Sequence, residues 1–152
     1  MPSTGPFTLT SAAFAEGQPI PREYSCQGAD VSPALAWTGQ PAGTSQLLLV
    51  LDDPDAGGFI HWIILIGSGA GALPKANPTN SQTAIQGTNG FGRVGYGGPC
   101  PPSGSHHYRF TLSALSSLLE VSGHPTISEV RAAQAKVDVL ATAVLTGTYR
   151  RS

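Results

Sequence analysis

The chain has 152 residues and a formal net charge of −1. Only 11% of its residues are charged, 40% are hydrophobic, and 19 are glycine and 13 proline. This balance argues against a disordered segment and against a helical bundle, and favours a turn-rich β protein. Two lysines and six scattered arginines form no basic stripe, so nucleic acid is not an expected partner.

The length fits a single domain over residues 1–152, burying about 70% of its unfolded surface. No stretch is long and apolar enough to span a membrane. No basic n-region precedes Arg22, and a cytoplasmic location is expected. The low surface charge favours self-association, so a homodimer is expected. Cys26 and Cys100 are too few for a disulfide scaffold. Whether they pair with each other stays open, because sequence alone does not place two cysteines within bridging distance.

In chain order, Met1–Gly5 reads as a loose terminus and Phe7–Thr10 as a short strand. Tyr24–Val31 is a compact turn-forming run. Ser32–Trp37 leads into a second strand. Gln46–Leu51 is an unbroken apolar run of strand length, which fits a strand covered on both faces. Asp52-Asp53-Pro54-Asp55 ends it. Phe59–Ile66, rich in β-branched and aromatic residues, reads as a second central strand. Residues 72 to 83 read as irregular and Ala84–Thr88 as a short strand.

A stiff loop follows. In Gly98-Pro99-Cys100-Pro101-Pro102 three prolines fix φ and remove backbone donors. From His106 the side chains alternate. His106, Tyr108, Phe110, Leu112 and Ala114 form one face, which is apolar except at its start and is expected to face the core. Thr126-Ile127-Ser128-Glu129 matches a capping box and predicts one short helix that ends before Ala141. Thr142–Tyr149 reads as the last strand.

Two segments could carry chemistry. Asp53 and Asp55 flank Pro54 just past a buried strand, and His61 opens the next one. Alternation puts His61 on a face with Ile63 and Leu65. A carboxylate beside an imidazole can fix its tautomer. The same Asp-Pro-Asp run also reads as a turn whose side chains cap backbone N–H groups. Similarly, His106 and Tyr108 could line a ligand pocket or be satisfied core residues. Gly90-Phe91-Gly92-Arg93-Val94-Gly95 has the spacing of a dinucleotide-binding turn, but Tyr96-Gly97-Gly98-Pro99 follows it in place of a helix. No Walker A or G-x-S-x-G pattern is present, and no metal-ligand spacing links the cysteines and histidines.

Taken together, Asp53-Pro54-Asp55-Ala56 with His61, and Gly98-Pro99-Cys100-Pro101-Pro102-Ser103-Gly104-Ser105-His106-His107-Tyr108-Arg109-Phe110, resemble the two signature patterns of the phosphatidylethanolamine-binding protein family. The resemblance is to its bacterial and archaeal branch of Raf kinase inhibitor-like proteins. Tyr24–Pro33, Leu35-Ala36-Trp37 and Gly147-Thr148-Tyr149 extend it over roughly residues 7 to 150. It implies a mainly β fold, a β-sandwich with one short C-terminal helix and a small anion pocket at one end. Carried over by motif, the pocket would be lined by Asp53, Asp55, His61, His106 and Tyr108, with Gly98 and Pro99 at its rim. Phosphate, phosphorylethanolamine-type headgroups or acetate-like anions are the implied ligands, and a lipid headgroup or a phosphorylated protein the implied larger partners. No cofactor and no metal are implied.

Imidazolium and phenol groups can donate charge-assisted bonds to such anions, and loop N–H groups could form an anion nest. If imidazolium is required, affinity should fall above about pH 6.5. Three positions depart from the family pattern: Gly57 stands where a proline is usual, Phe59 where tryptophan is common, and His107 where arginine is usual. Gly57 leads us to expect a more mobile rim. The reading is a non-enzymatic binding protein. The alternatives are a small hydrolase with His106 and Asp53 as acid and base, or a kinase or protease inhibitor acting through protein contacts.

Overall fold

The computed structural model describes residues 6–78 and 84–151. The expected loose terminus at Met1–Gly5 and residues 79–83 of the irregular stretch lie outside them. Among the described residues, eight strands form two antiparallel sheets. The smaller has the order β1 (Thr8–Thr10), β2 (Leu35–Thr38), β5 (Ala72–Leu73). The larger has the order β6 (Ala84–Gln86), β4 (Phe59–Gly67), β3 (Gln46–Asp53), β7 (Ser105–Leu115), β8 (Val139–Arg150). One helix, α1 (Ile127–Gln134), follows β7.

The main core lies between the sheets. Leu9, Leu35, Trp37 and Leu73 of the small sheet meet Leu49, Leu51, Trp62, Ile64, Phe110 and Leu112 of the large one. This is the β-sandwich expected from the sequence. A second cluster lies on the other face of the large sheet, where Val130 and Ala133 of α1 pack on Leu48, Val50, Ile63 and Leu65. Those two layers explain why every residue of β3 is buried. A strand with apolar cover on both sides has no position left for alternation.

The capping box is formed as read. Thr126 accepts from the Glu129 N–H, and the Glu129 carboxylate accepts from the Thr126 N–H. The helix is only eight residues long, and β8 begins three residues before the expected Thr142. Residues 72 and 73, read as irregular, pair with β2 instead. A two-residue strand leaves almost no periodic signal.

The open question of the cysteines is answered. Cys26 and Cys100 form a disulfide that links the 22–30 loop to the proline-rich loop, across a sequence separation of 74. Joined to each other, they leave no thiolate for a metal. The Cys26 N–H also donates to the Pro99 carbonyl at 3.1 Å. The Arg151 side chain closes over the junction, donating to the Pro101 carbonyl at 2.7 Å.

Cross-linking a loop of this length stabilises a fold by about 2–4 kcal/mol, in a model where the bond constrains the unfolded chain. The paired substitution Cys26→Ser, Cys100→Ser is therefore expected to lower the urea unfolding midpoint by a matching amount. A midpoint equal to that of the oxidised protein would contradict this role for the bond.

Candidate functional site

The site lies where β3, β4 and β7 end together. A β-bulge controls its geometry. Leu51 pairs with Trp62, but Asp52 pairs with Ile60, so His61 is the extra residue on β4. Simple alternation would have placed His61 with Ile63 and Leu65. That expectation is overturned: Ile63 and Leu65 belong to the helix-covered face, whereas the His61 ring meets Tyr108 edge-on at 5.3 Å and Phe59 at 5.1 Å. An inserted residue shifts the pleat by one position and re-aims its side chain.

His61 is held from two directions. Its Nδ1–H donates to the Gly97 carbonyl at 2.7 Å, and the Gly97 N–H donates back to the His61 carbonyl at 2.8 Å. The carbonyl can only accept, so Nδ1 carries the proton and Nε2 is the free nitrogen. Burial pushes the His61 pKa below the ordinary 6.5, against a smaller upward pull from the Gly97 carbonyl and the Asp53 charge. An imidazolium at His61 is therefore disfavoured near neutral pH, which removes one of the two cationic donors that the sequence reading allowed.

Asp53 does two jobs at once. It is 3% exposed. Its Oδ1 accepts from the Asp55 N–H at 2.9 Å, capping the single 3-10 turn Pro54–Ala56. Its Oδ2 accepts from His106 Nδ1–H at 2.6 Å. The capping reading and the His-orienting reading of this carboxylate thus describe the same side chain. His106 is left with Nε2 free. Gly57 ends the turn with φ +68°, a conformation closed to the proline that is usual there.

Tyr108 is fully buried between the two histidines. Burial and the nearby Asp53 charge push its phenol pKa up, so it stays a donor at neutral pH. The hydroxyl lies near the Cys100 N–H and the Asp53 carboxylate, yet reaches hydrogen-bond geometry with neither. These groups line a pocket of about 220 Å³ with Asp53 and Phe59. Phe91, Pro101, Pro102 and Cys100 complete its wall.

The remaining sequence candidates take other places. Asp55 turns away from the pocket, accepting from the His107 N–H at 2.7 Å and from His107 Nδ1–H at 2.8 Å. The bond from the His107 N–H, then that from its ring, hold the Asp55 carboxyl below its usual range. Gly98 and Pro99 stand behind the lining. The Gly98 N–H, a candidate for an anion nest, donates to Asp30 Oδ1 at 2.7 Å. A Cβ on Gly98 would strike the Tyr24 carbonyl, so this close approach needs glycine.

Sequence reasoning missed Asp30, Phe91 and the role of Cys100. Asp30 carried one faint signal. It sits at φ +58°, a region that Asp tolerates better than most residues, within a run read as turn-forming. Phe91 lies inside Gly90–Gly95, whose glycine spacing draws attention to a dinucleotide turn that the residues after it exclude.

Comparison with known proteins identifies the family and its fold. The model for the phosphatidylethanolamine-binding protein family matches residues 10–150. The chain belongs to that family. Among relatives, Mycobacterium tuberculosis LppC is 45% identical over 139 residues, covering 88% of this chain and 67% of LppC. The UPF0098 protein of Aquifex aeolicus is 38% identical, with 93% of this chain and 86% of that one covered. Among solved structures, the phosphatidylethanolamine-binding protein homologue CT736 of Chlamydia trachomatis superposes with a TM-score of 0.89 at 35% identity, covering 98% of this chain and all of CT736. Escherichia coli YbcL, described as a new member of the mammalian family, gives 0.88 at 30%, covering 97% of this chain and all of YbcL.

The lowered pKa of His61 has a testable sign. An unfolded chain protonates this ring near pH 6.5, before the folded one does. Its contribution to stability is therefore complete above that value and is lost as pH falls towards the folded pKa. The His61 ring resonances are expected to titrate with a midpoint below 6.5. A midpoint above that value would contradict the burial argument.

Proposed function

We propose that this family member is a binding protein whose pocket takes a small oxyanion, a phosphate or the phosphate of a headgroup or phosphorylated partner. The supporting observation is the Tyr108 hydroxyl. It is a buried donor of a residue that lines the pocket, and it has no hydrogen-bond partner among the described residues. A buried polar group without a partner costs about 1–3 kcal/mol. An anionic oxygen would satisfy it with a charge-assisted bond.

The two histidines refine the ligand. Both Nδ1 positions are committed, to Gly97 and to Asp53. A neutral His61 offers a lone pair at Nε2, which accepts and does not donate. The matching ligand carries both an anionic oxygen for Tyr108 and a proton for His61. A phosphate or phosphomonoester monoanion has both, and sulfate has no such proton near neutral pH.

The hydrolase alternative finds less support. The Asp53–His106 pair could move a proton, but the hydroxyl beside it is a phenol with a raised pKa, which makes a poor nucleophile. The homodimer stays part of the proposal on the low surface charge alone. For location, the Cys26–Cys100 bond favours a compartment where thiols are not kept reduced, in place of the cytoplasm expected from the sequence.

Calorimetric titration with phosphate tests the site. Tyr108→Phe keeps the ring and removes only the donor, so affinity is expected to drop by about tenfold or more. Sulfate is expected to bind more weakly than phosphate at pH 6. Phosphomonoester affinity is expected to decline as pH rises past about 6, where the monoanion loses its proton. Equal phosphate affinity in wild type and Tyr108→Phe would remove the proposal's main support.

A further inference from the structure

The outer face of the large sheet carries a second concavity, beside α1 and separated from the first pocket by the sheet itself. Three rows of side chains run across β3, β7 and β8. Asp52 lies opposite Arg109, Val50 opposite Thr111 and then Val144, and Leu48 opposite Ser113. All belong to the face opposite Tyr108 and Phe110. Under the helix Leu48 and Val50 are 1% and 4% exposed, whereas Val144 of β8 is 47% exposed. Between α1 and β8 a groove of about 350 Å³ stays open, with Arg131 of α1 at its edge.

The polar groups here are unevenly satisfied. Arg109 grips Asp52 with two bonds, Nε to Oδ1 at 3.1 Å and Nη2 to Oδ2 at 2.8 Å. That pair cancels its own charge. Arg131 has no carboxylate partner among the described residues, and its one bond is a long 3.4 Å contact to Gln134 Oε1. Ser113 is only 6% exposed, and its hydroxyl faces the groove with no hydrogen-bond partner among the described residues. The Thr111 hydroxyl, one row along, is likewise unpartnered among them. The aliphatic part of the lining is Leu48, Val50 and Val144, of which Val144 presents the open surface.

We propose that this groove is a second binding site, for a short aliphatic carboxylate, whose head group is held by Arg131 and the Ser113 and Thr111 hydroxyls and whose chain lies on Leu48, Val50 and Val144. The lining carries a net charge of +1, since Arg109 and Asp52 cancel and Arg131 remains. A monoanion matches that charge, while a phosphate dianion beside Asp52 would overshoot it. The volume is near the small end of ligand pockets, about 300–1,000 Å³, which suits a chain of about six to eight carbons. This inference does not rest on the oxyanion reading of the first pocket.

The test is an amide-resolved NMR titration of the full chain with acetate, hexanoate and octanoate. Saturable shifts are expected at Thr111, Ser113 and Val144. Affinity is expected to rise up to about fourfold for each methylene added. Arg131→Ala is expected to weaken octanoate binding about tenfold, and Arg131→Lys to restore most of it. Saturating phosphate is expected to leave the octanoate shifts in place. Ser113→Ala, which removes only the hydroxyl, should also weaken binding and serves where Arg131→Ala is poorly folded. Shifts confined to Tyr108 and His106, displacement by phosphate, or equal binding by wild type and Arg131→Ala would each overturn the proposal.

Discussion

One inserted residue organises the pocket. Were β3 and β4 paired in continuous register, His61 would fall on the helix-covered face beside Ile63. The bulge opposite Leu51 and Asp52 shifts the pleat by one position, and the imidazole turns to the Tyr108 side. Ordinary alternation along β3, which pairs with β7 without a break, separates two adjacent carboxylates. Asp52 goes outward to Arg109, and Asp53 goes inward to His106.

A bulge alone would not keep the pocket in shape. The proline-rich loop must hold its position above the strand ends, and most of its fastenings use backbone. Gly97 exchanges two bonds with His61, Gly98 is tied to Asp30, and Pro99 accepts from Cys26. The disulfide adds a covalent link at the same place. Ser25 then bonds Tyr149 of β8, so the 22–30 loop is itself anchored to the sheet. Atoms used as fastenings are not free for a ligand. That is why Gly98 supports the pocket from behind while the free groups are Tyr108 Oη and the two Nε2 atoms.

Much of this was legible in the sequence, and the reasons are local. The β7 face from His106 to Ala114 was readable because it alternates without interruption, and the structure buries Tyr108, Phe110, Leu112 and Ala114 as that period requires. The Thr126–Glu129 capping box was readable because it depends on residues three apart. The orientation of His61 was not, because a bulge is a relation between two strands and leaves no mark in either one. The Cys26–Cys100 pairing and the Asp30–Gly98 bond depend on loops distant in sequence, so no window of the chain could contain them. Asp55 looked equivalent to Asp53 by composition, and a single 3-10 turn separates their fates.

The central claim is that Tyr108 Oη, His61 Nε2 and His106 Nε2 converge on one bound oxyanion. A crystal structure of the protein equilibrated with phosphate near pH 6 tests it most directly. The expected result is a phosphate oxygen within about 2.5–3.0 Å of Tyr108 Oη, with both free imidazole nitrogens in hydrogen-bond reach of the same ion. A phosphate bound elsewhere on the surface, with the Tyr108 hydroxyl turned to Asp53, would contradict the account.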